Sequence, residues 1–225
     1  MKKGVVESLL LYLSFTSALW AQAFQDLNFE AANVSNLPPN QSEFVSVANG
    51  LPGWSAYIGT NQLTQVGHNW ITLGDANVGL WGPNYGFGLL SLEGTYTAIL
   101  QPGGFDGQGG QPASIAQTAL IPLAASSLRF LARLTYTNDL VVSVGGQSTP
   151  VVPLGSGSFG CDVSAFAGSV EELRFTIANT HGNDLNFLDA ITFSTEAVPE
   201  PSAFALTAAA VMLLFGVRPR RPRSC

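Results

Sequence analysis

The segment Ser127-Leu128-Arg129-Phe130-Leu131-Ala132-Arg133-Leu134-Thr135-Tyr136-Thr137 decides the fold class of this 225-residue chain. Every even-numbered position from Leu128 to Tyr136 is apolar or aromatic, and serine, arginine or threonine fills all but one of the odd-numbered positions. Alternation of this kind places one side of a strand against a core and the other side toward solvent. The segment therefore predicts a half-buried β-strand.

Shorter runs with the same pattern lie on both sides of this strand. Leu140–Val144 follows the turn dipeptide Asn138-Asp139, so the sequence predicts a hairpin between the two runs. Leu173, Phe175 and Ile177 alternate with polar residues and predict another strand with one buried face. Further strands are predicted over residues 24–30, 87–93, 96–101, 114–120 and 187–195.

Glycine and proline separate these runs from one another. The chain contains 24 Gly and 13 Pro, some of them in clusters such as Leu51-Pro52-Gly53 and Gly109-Gly110-Gln111-Pro112. Such clusters end strands in tight turns and interrupt long helices. We therefore expect residues 24–195 to form one all-β domain, a two-sheet antiparallel β-sandwich of the jelly-roll kind rather than a parallel α/β sheet.

Composition and charge exclude two broad classes of protein. Hydrophobic residues make up 46% of the chain and charged residues 11%, which is too apolar for an intrinsically disordered protein. The net charge is -6, and Arg129, Arg133 and Arg174 are the only lysines or arginines between residues 24 and 195. Without a basic stripe to contact phosphates, nucleic acid is not expected to be a partner.

The N-terminus has the pattern of a secretory signal peptide. Lys2 and Lys3 precede an apolar run over residues 9–20, and Ala21-Gln22-Ala23 supplies the small residues that a signal peptidase requires before its cut. The apolar run is too short to span a membrane comfortably. We expect residues 1–23 to be removed ahead of Phe24. The alternative is a buried N-terminal helix.

The C-terminus consists of three successive parts. Pro199-Glu200-Pro201 precedes an apolar stretch over residues 203–217, and four arginines follow within residues 218–223. As a helix the apolar stretch reaches about 22 Å, against about 30 Å for the hydrocarbon core of a bilayer. The arginines favour the cytoplasmic side, so residues 24–195 are expected outside the inner membrane.

This three-part tail resembles the PEP-CTERM sorting signal of Gram-negative bacteria that make extracellular polysaccharide. The resemblance implies that a membrane-embedded exosortase recognises Pro199, Glu200 and Pro201 and processes the protein within residues 196–225. The C-terminal helix would anchor the protein in the inner membrane until then, and the product would be released or attached at the cell surface. The alternative is a single-pass anchor that is never cut.

A second resemblance concerns the domain between the two ends. Leu27-Asn28-Phe29-Glu30, the segment 162–175 and the segment 188–193 are similar to parts of jelly-roll carbohydrate-binding modules, in which the first and last strands often meet around a structural calcium ion. Asp189 is predicted on a buried face, where a carboxylate needs a partner, and Glu30 is the candidate second ligand. In the alternative, Asp189 caps a turn before a strand that begins at Ala190.

Aromatic residues supply a candidate surface for sugar binding. Flat rings stack on sugar faces, and neighbouring amides can bind sugar hydroxyls. The alternative for each ring is that it fills the core. The candidates lie among Gly, Asn and Thr in the first half of the domain and are Trp54, Tyr57, Trp70, Trp81 and Tyr85.

Catalytic motifs are not apparent in the sequence. Neither His68 nor His181 lies near a G-x-S-x-G motif, and the adjacent Glu171 and Glu172 would point to opposite faces of a strand. Cys161 is predicted to be a buried structural thiol. We therefore expect a non-enzymatic surface or matrix protein that requires no cofactor and has modest affinity for polysaccharide. The alternatives are a purely structural or adhesive protein and a polysaccharide-degrading enzyme.

Overall fold

The computed structural model describes residues 22–34, 42–83, 91–103, 110–178 and 184–199. Within these ranges the chain forms fourteen strands and one short α-helix, α1 (Val47–Gly50), together with 3-10 turns at Thr137–Asp139 and Ser164–Phe166. The strands are β1 (Glu43–Ser46), β2 (Ser55–Ile58), β3 (Asn61–Gln62), β4 (Gln65–His68), β5 (Asn77–Trp81), β6 (Thr97–Gln101), β7 (Ala113–Leu120), β8 (Ser127–Arg133), β9 (Leu140–Val144), β10 (Gln147–Thr149), β11 (Val152–Gly155), β12 (Ser158–Asp162), β13 (Val170–Ile177) and β14 (Asn186–Ser194).

The strands form two sheets. An eight-stranded sheet has the order β1-β4-β5-β6-β14-β8-β12-β11, and a six-stranded sheet has the order β10-β9-β13-β7-β2-β3. Neighbouring strands are antiparallel except β4 and β5, which run parallel because residues 69–76 return to the end of the sheet at which β4 begins. The expectation of an all-β protein with two sheets is confirmed, with this one parallel pair as a departure from a purely antiparallel pattern.

The two sheets bury a common apolar core. Phe130 of β8 and Phe175 of β13 belong to different sheets, and their rings meet edge to face with centroids 5.2 Å apart. Each buried aromatic side chain stabilises the fold by about 1.5–3 kcal/mol through burial, and the ring pair adds about 0.5–1.5 kcal/mol. The alternation that defines these strands in the sequence is thus what holds the sheets together.

Several predicted strands are confirmed. Leu128, Phe130 and Ala132 are buried on one face of β8, although β8 ends at Arg133, four residues before the predicted end at Thr137. Leu173, Phe175 and Ile177 are buried on one face of β13. The predictions for β6, β7, β9 and β14 are also confirmed, with ends that differ by one residue or not at all.

The predicted hairpin between β8 and β9 is wrong. Asn138 and Asp139 lie in a 3-10 turn that carries the chain from the eight-stranded sheet to the six-stranded sheet. Strand β8 pairs with β14 on one side and β12 on the other, so no edge of β8 is open to β9. Strand β9 pairs instead with β13 and β10 in the other sheet. Turn residues alone do not distinguish a hairpin from such a crossing.

The predicted first strand, residues 24–30, is also wrong. Residues 24–26 have no regular structure, residues 27–30 form turns and a bend, and the ladder contact nearby is a parallel bridge between Ala23 and Leu120. Of the prediction over 87–93, residues 91–93 are not in a strand and the others lie outside the described part of the chain.

Candidate functional site

Two of the predicted sugar-stacking rings belong to the interior. Trp54 is 4% exposed, packs between Phe29 and Phe175, and donates its indole N–H to the Asp26 carbonyl at 3.0 Å. Trp81 is 0% exposed and forms a second apolar cluster with Ile99 and Phe187. Their burial supports the interpretation that both tryptophans fill the core. Tyr85 lies outside the described residues.

Tyr57 lies instead on the outer face of the six-stranded sheet. In β2 it is half-buried and paired with Ser114 of β7. The guanidinium carbon of Arg174 lies 4.3 Å from the ring centroid, so a cation covers one side of the ring. Side chains alternate between the two faces of β2, and the buried Ala56 faces the core, so the neighbouring Tyr57 faces outward.

A groove of about 320 Å³ lies beside Tyr57. Strands β2, β7 and β13 form its floor, and the segment from Gln22 to Gln25 forms one wall. Most of the side chains around it carry amide or hydroxyl groups, which both donate and accept hydrogen bonds. These polar lining residues are Gln22, Gln25, Ser55, Gln117, Thr118 and Glu172.

An ion pair occupies one side of the groove. Arg174 donates through Nε to Glu172 Oε1 at 2.8 Å and through Nη2 to Oε2 at 3.1 Å. Because Glu172 and Arg174 are two positions apart on β13, their side chains project from the same face of the strand. The bond to Glu172 raises the pKa of Arg174 above its usual value. Because the pair is partly exposed, it adds less than about 1 kcal/mol to stability, but it leaves this part of the groove without net charge.

The wall of the groove is held by the side chain of Gln117. Its Oε1 accepts the Gln25 N–H at 2.5 Å, and its Nε2 donates to the Gln25 carbonyl at 2.9 Å. One residue earlier, the ring of Phe24 packs against Phe193 with centroids 5.1 Å apart. The Gln22 carbonyl accepts the Leu120 N–H at 2.9 Å. The residues that the sequence places around the signal-peptidase cut are therefore part of the groove.

The two carboxylates predicted to bind calcium contact the same turn. Glu30 Oε1 accepts the N–H groups of Thr95 and Tyr96 at 2.7 and 2.9 Å. Gly94 lies so close that a Cβ there would be 2.4 Å from the same oxygen, so this approach requires glycine. Asp189 Oδ2 accepts the Glu93 N–H at 3.1 Å. Glu30 thus holds the middle of the segment 93–97, and Asp189 holds its beginning.

Asp189 is the more deeply buried of these acids, at 0% exposure. Its Oδ2 also accepts the Thr97 hydroxyl at 2.6 Å, and its Oδ1 accepts the Ala190 N–H at 2.7 Å. Burial raises the pKa of Asp189 to about 6, although these three hydrogen bonds oppose the shift.

N–H and O–H donors therefore already bind Glu30 Oε1 and both oxygens of Asp189, so a calcium ion at these oxygens would compete with them. Among the residues that the structure describes, no three His, Cys, Asp or Glu side chains form a cluster suited to a metal ion. Calcium at this place stays a prediction.

His68 and Cys161 are both buried and lie apart from the groove. Burial lowers the pKa of His68, which is 7% exposed, and within the described part of the chain neither ring nitrogen has a hydrogen-bond partner. Burial raises the pKa of the Cys161 thiol to about 11, so the thiolate is not available near neutral pH.

The end of the described chain lies against the eight-stranded sheet. Glu196 pairs with Arg129 at 2.9 Å and accepts the Ser127 hydroxyl at its carbonyl at 2.6 Å. Val198 lies over Gly160, and Pro199 is the last described residue. Glu200, Pro201 and the predicted apolar helix over residues 203–217 lie outside the described residues, as does His181.

None of the helices in the described part of the chain is long and apolar enough to cross a membrane. The chain matches no protein-family model, no curated protein and no solved structure.

Proposed function

We propose that this chain is an exported cell-surface or extracellular-matrix protein whose jelly-roll-like β-sandwich binds extracellular polysaccharide without cleaving it. A signal peptidase removes residues 1–23, and the C-terminal helix holds the protein in the inner membrane until an exosortase processes the tail at Pro199, Glu200 and Pro201. The tail and the signal peptide in the sequence support the export route. No cofactor is required for this function.

The observation that carries the proposed binding is the polar groove beside Tyr57. Its volume of about 320 Å³ is at the lower end of the range for small-molecule sites. Amides and hydroxyls suit sugar hydroxyl groups because each side can both donate and accept. Glu172 is the one carboxylate among the described residues that line the groove, and both of its oxygens are bound by Arg174. Hydrolysis of a glycosidic bond generally needs two carboxyl groups, so the arrangement favours binding over hydrolysis.

The groove can be tested by filling it. Thr118→Arg and Ser55→Arg place long side chains into the groove from exposed or half-buried floor positions. We expect both variants to lose binding on an array of bacterial polysaccharides while keeping the far-ultraviolet circular dichroism of the wild type. Phe44→Ala, on the other sheet, is the matched control and should bind normally. Equal binding by all three variants would exclude this groove as the site.

The sorting route needs a separate test. Glu200→Gln and removal of the arginines at 218–223 should each leave the protein in the inner membrane with an unprocessed mass. Fractionation of cells and intact-mass measurement give the readout. Unchanged processing in both variants would contradict exosortase recognition of the tail.

An adhesive protein without a defined ligand is the second candidate. Phe44 on the edge strand β1 is 48% exposed, and its ring lies 5.2 Å from that of the exposed Trp70. Leu73 nearby in sequence is also exposed. Exposed apolar side chains at a sheet edge favour contact with other proteins. This function would be supported instead if the wild-type protein bound no glycan and self-associated, and if the Phe44→Ser variant no longer self-associated.

A further inference from the structure

We propose that cleavage ahead of Phe24 opens the groove and places a new α-ammonium group in its wall, and that the mature groove therefore selects anionic polysaccharide. The inference rests on the proposed export and glycan binding, and it adds the chemical class of the ligand. In the uncleaved chain the same nitrogen is a neutral amide.

The position of the new N-terminus follows from the residues around it. Ala23 and Gln25 both line the groove, and the Phe24 nitrogen lies between them in the chain. Cleavage removes Gln22 and Ala23 from the wall, together with the hydrogen bond from the Leu120 N–H to the Gln22 carbonyl. The groove becomes wider at the point where it gains a charge.

After cleavage the new terminus is held by contacts of the Phe24 side chain and of the next residue, Gln25. The Gln117 amide binds both the N–H and the carbonyl of Gln25, one residue away. The Phe24 ring packs against Phe193 in the partly buried layer beside the core. Chain termini fray unless they are tied down, and these contacts tie the residue that would carry the charge.

Nearby charges leave the ammonium group free for a ligand. Glu172 already forms two hydrogen bonds with Arg174, so the two charges cancel. Asp26, two residues along, accepts the Ala31 N–H and does not line the groove. The mature groove therefore has a net positive charge, which favours the carboxylate of a uronic acid.

The experiment uses full-length protein exported by its own signal, with intact mass confirming Phe24 as the N-terminus. Binding to polygalacturonate and to neutral dextran is measured at pH 7 and pH 9.5, because an α-amino group has a pKa of about 8. We expect affinity for polygalacturonate to fall about fivefold at the higher pH, the upper end for one exposed ion pair. Affinity for dextran should change less than twofold.

The control variant carries Gln-Gln inserted between Ala23 and Phe24, so that the Ala21-Gln22-Ala23 motif is not repeated ahead of Phe24. Cleavage after Ala23 then leaves two residues in the place of Gln22 and Ala23 and moves the ammonium group by two residues, about 7 Å of extended chain. This variant should lose the pH dependence and the preference for polygalacturonate. Identical behaviour of the variant and the wild type, or a mature N-terminus other than Phe24, would overturn the inference and leave glycan binding intact. Absence of binding to any polysaccharide would overturn the proposed function itself.

Discussion

Thr97 donates its hydroxyl to Asp189 across neighbouring strands of the eight-stranded sheet, with the two oxygens 2.6 Å apart. The same carboxylate accepts the Glu93 N–H, so one buried acid links β6, β14 and the turn before β6. This acid stays ionised near neutral pH only at a cost, because burial raises its pKa to about 6.

The raised pKa predicts how stability varies with pH. Between about pH 4 and pH 6 the folded protein keeps a proton on Asp189 that the unfolded chain has lost, so the contribution of Asp189 to the free energy of unfolding falls as pH rises. From pH 4.5 to pH 7 the fall is about 2 kcal/mol. The Asp189→Asn variant has no carboxyl group at this position and should not show this fall. The stability advantage of the wild type over the variant should therefore be about 2 kcal/mol smaller at pH 7 than at pH 4.5. Urea unfolding at both pH values measures this, and parallel pH profiles would contradict it.

Calcium is expected to leave the stability unchanged. The N–H groups of Thr95, Tyr96 and Glu93 already bind the carboxylates of Glu30 and Asp189. A ligand that binds only the folded state raises its melting temperature by mass action. Millimolar Ca²⁺ should therefore give no rise above that seen with Mg²⁺. A calcium-specific rise that is lost in Glu30→Gln would instead establish the ion site predicted from the sequence.

The contact between the sheets predicts a large loss of stability on truncation. Phe130 is 1% exposed and touches Phe175 across the core. Phe130→Ala should lower the free energy of unfolding by about 3–5 kcal/mol, because a cavity remains between the sheets. Phe44→Ala, an exposed control on the same sheet, should cost less than about 1 kcal/mol. Similar losses for the two variants in urea unfolding would argue against a shared core.

His68 predicts a loss of stability in mild acid. Burial lowers its pKa, with the carboxylate of Glu43 partly opposing the shift, so the folded state holds the neutral ring. Below about pH 6.5 the unfolded chain gains a proton that the folded protein resists, and stability falls. His68→Leu removes two ring nitrogens that have no hydrogen-bond partner among the described residues, and it should stabilise the protein by about 1 kcal/mol at pH 8 and by more at pH 5. An equal effect at both pH values would show that the imidazole does not titrate in this way.

The segment before Pro199 packs against β12, so a substitution that displaces it should expose it to proteases. A Cβ on Gly160 would lie 2.6 Å from Cγ1 of Val198, so Gly160→Val should displace the segment that contains Glu196. Cleavage after Glu196 by a glutamate-specific protease should become several-fold faster, while the melting temperature changes little. Arg129→Gln removes the partly exposed ion pair with Glu196 and the hydrogen bond from Arg129 Nε to the Ser127 hydroxyl, and it should have a smaller effect. Resistance equal to that of the wild type would mean that Val198 is not docked over Gly160.

Local pattern was enough to predict the long strands, because alternation over seven or more residues in β8 and β13 leaves one apolar face that has to be buried. It was not enough for the short strands from β1 to β5 and from β10 to β12, several of which are interrupted by glycine or proline, as at Gly67, Gly79 and Pro153. Strands this short are defined mainly by their neighbours, whether they lie at the edge of the sheet or inside it.

The orientation of Asp189 and the surroundings of Tyr57 could not be predicted from the sequence pattern. Alternation placed Asp189 on the same face as Ile191, but a β-bulge at Ala190, with φ of 49°, turns Ile191 into the main core and leaves Asp189 on the opposite side. Strand character and turn positions could be predicted along the chain because they depend on near neighbours. The sheet crossing after β8, the bulge and the groove beside Tyr57 were decided only by tertiary structure, because each depends on which distant strands pair and on which face they leave open.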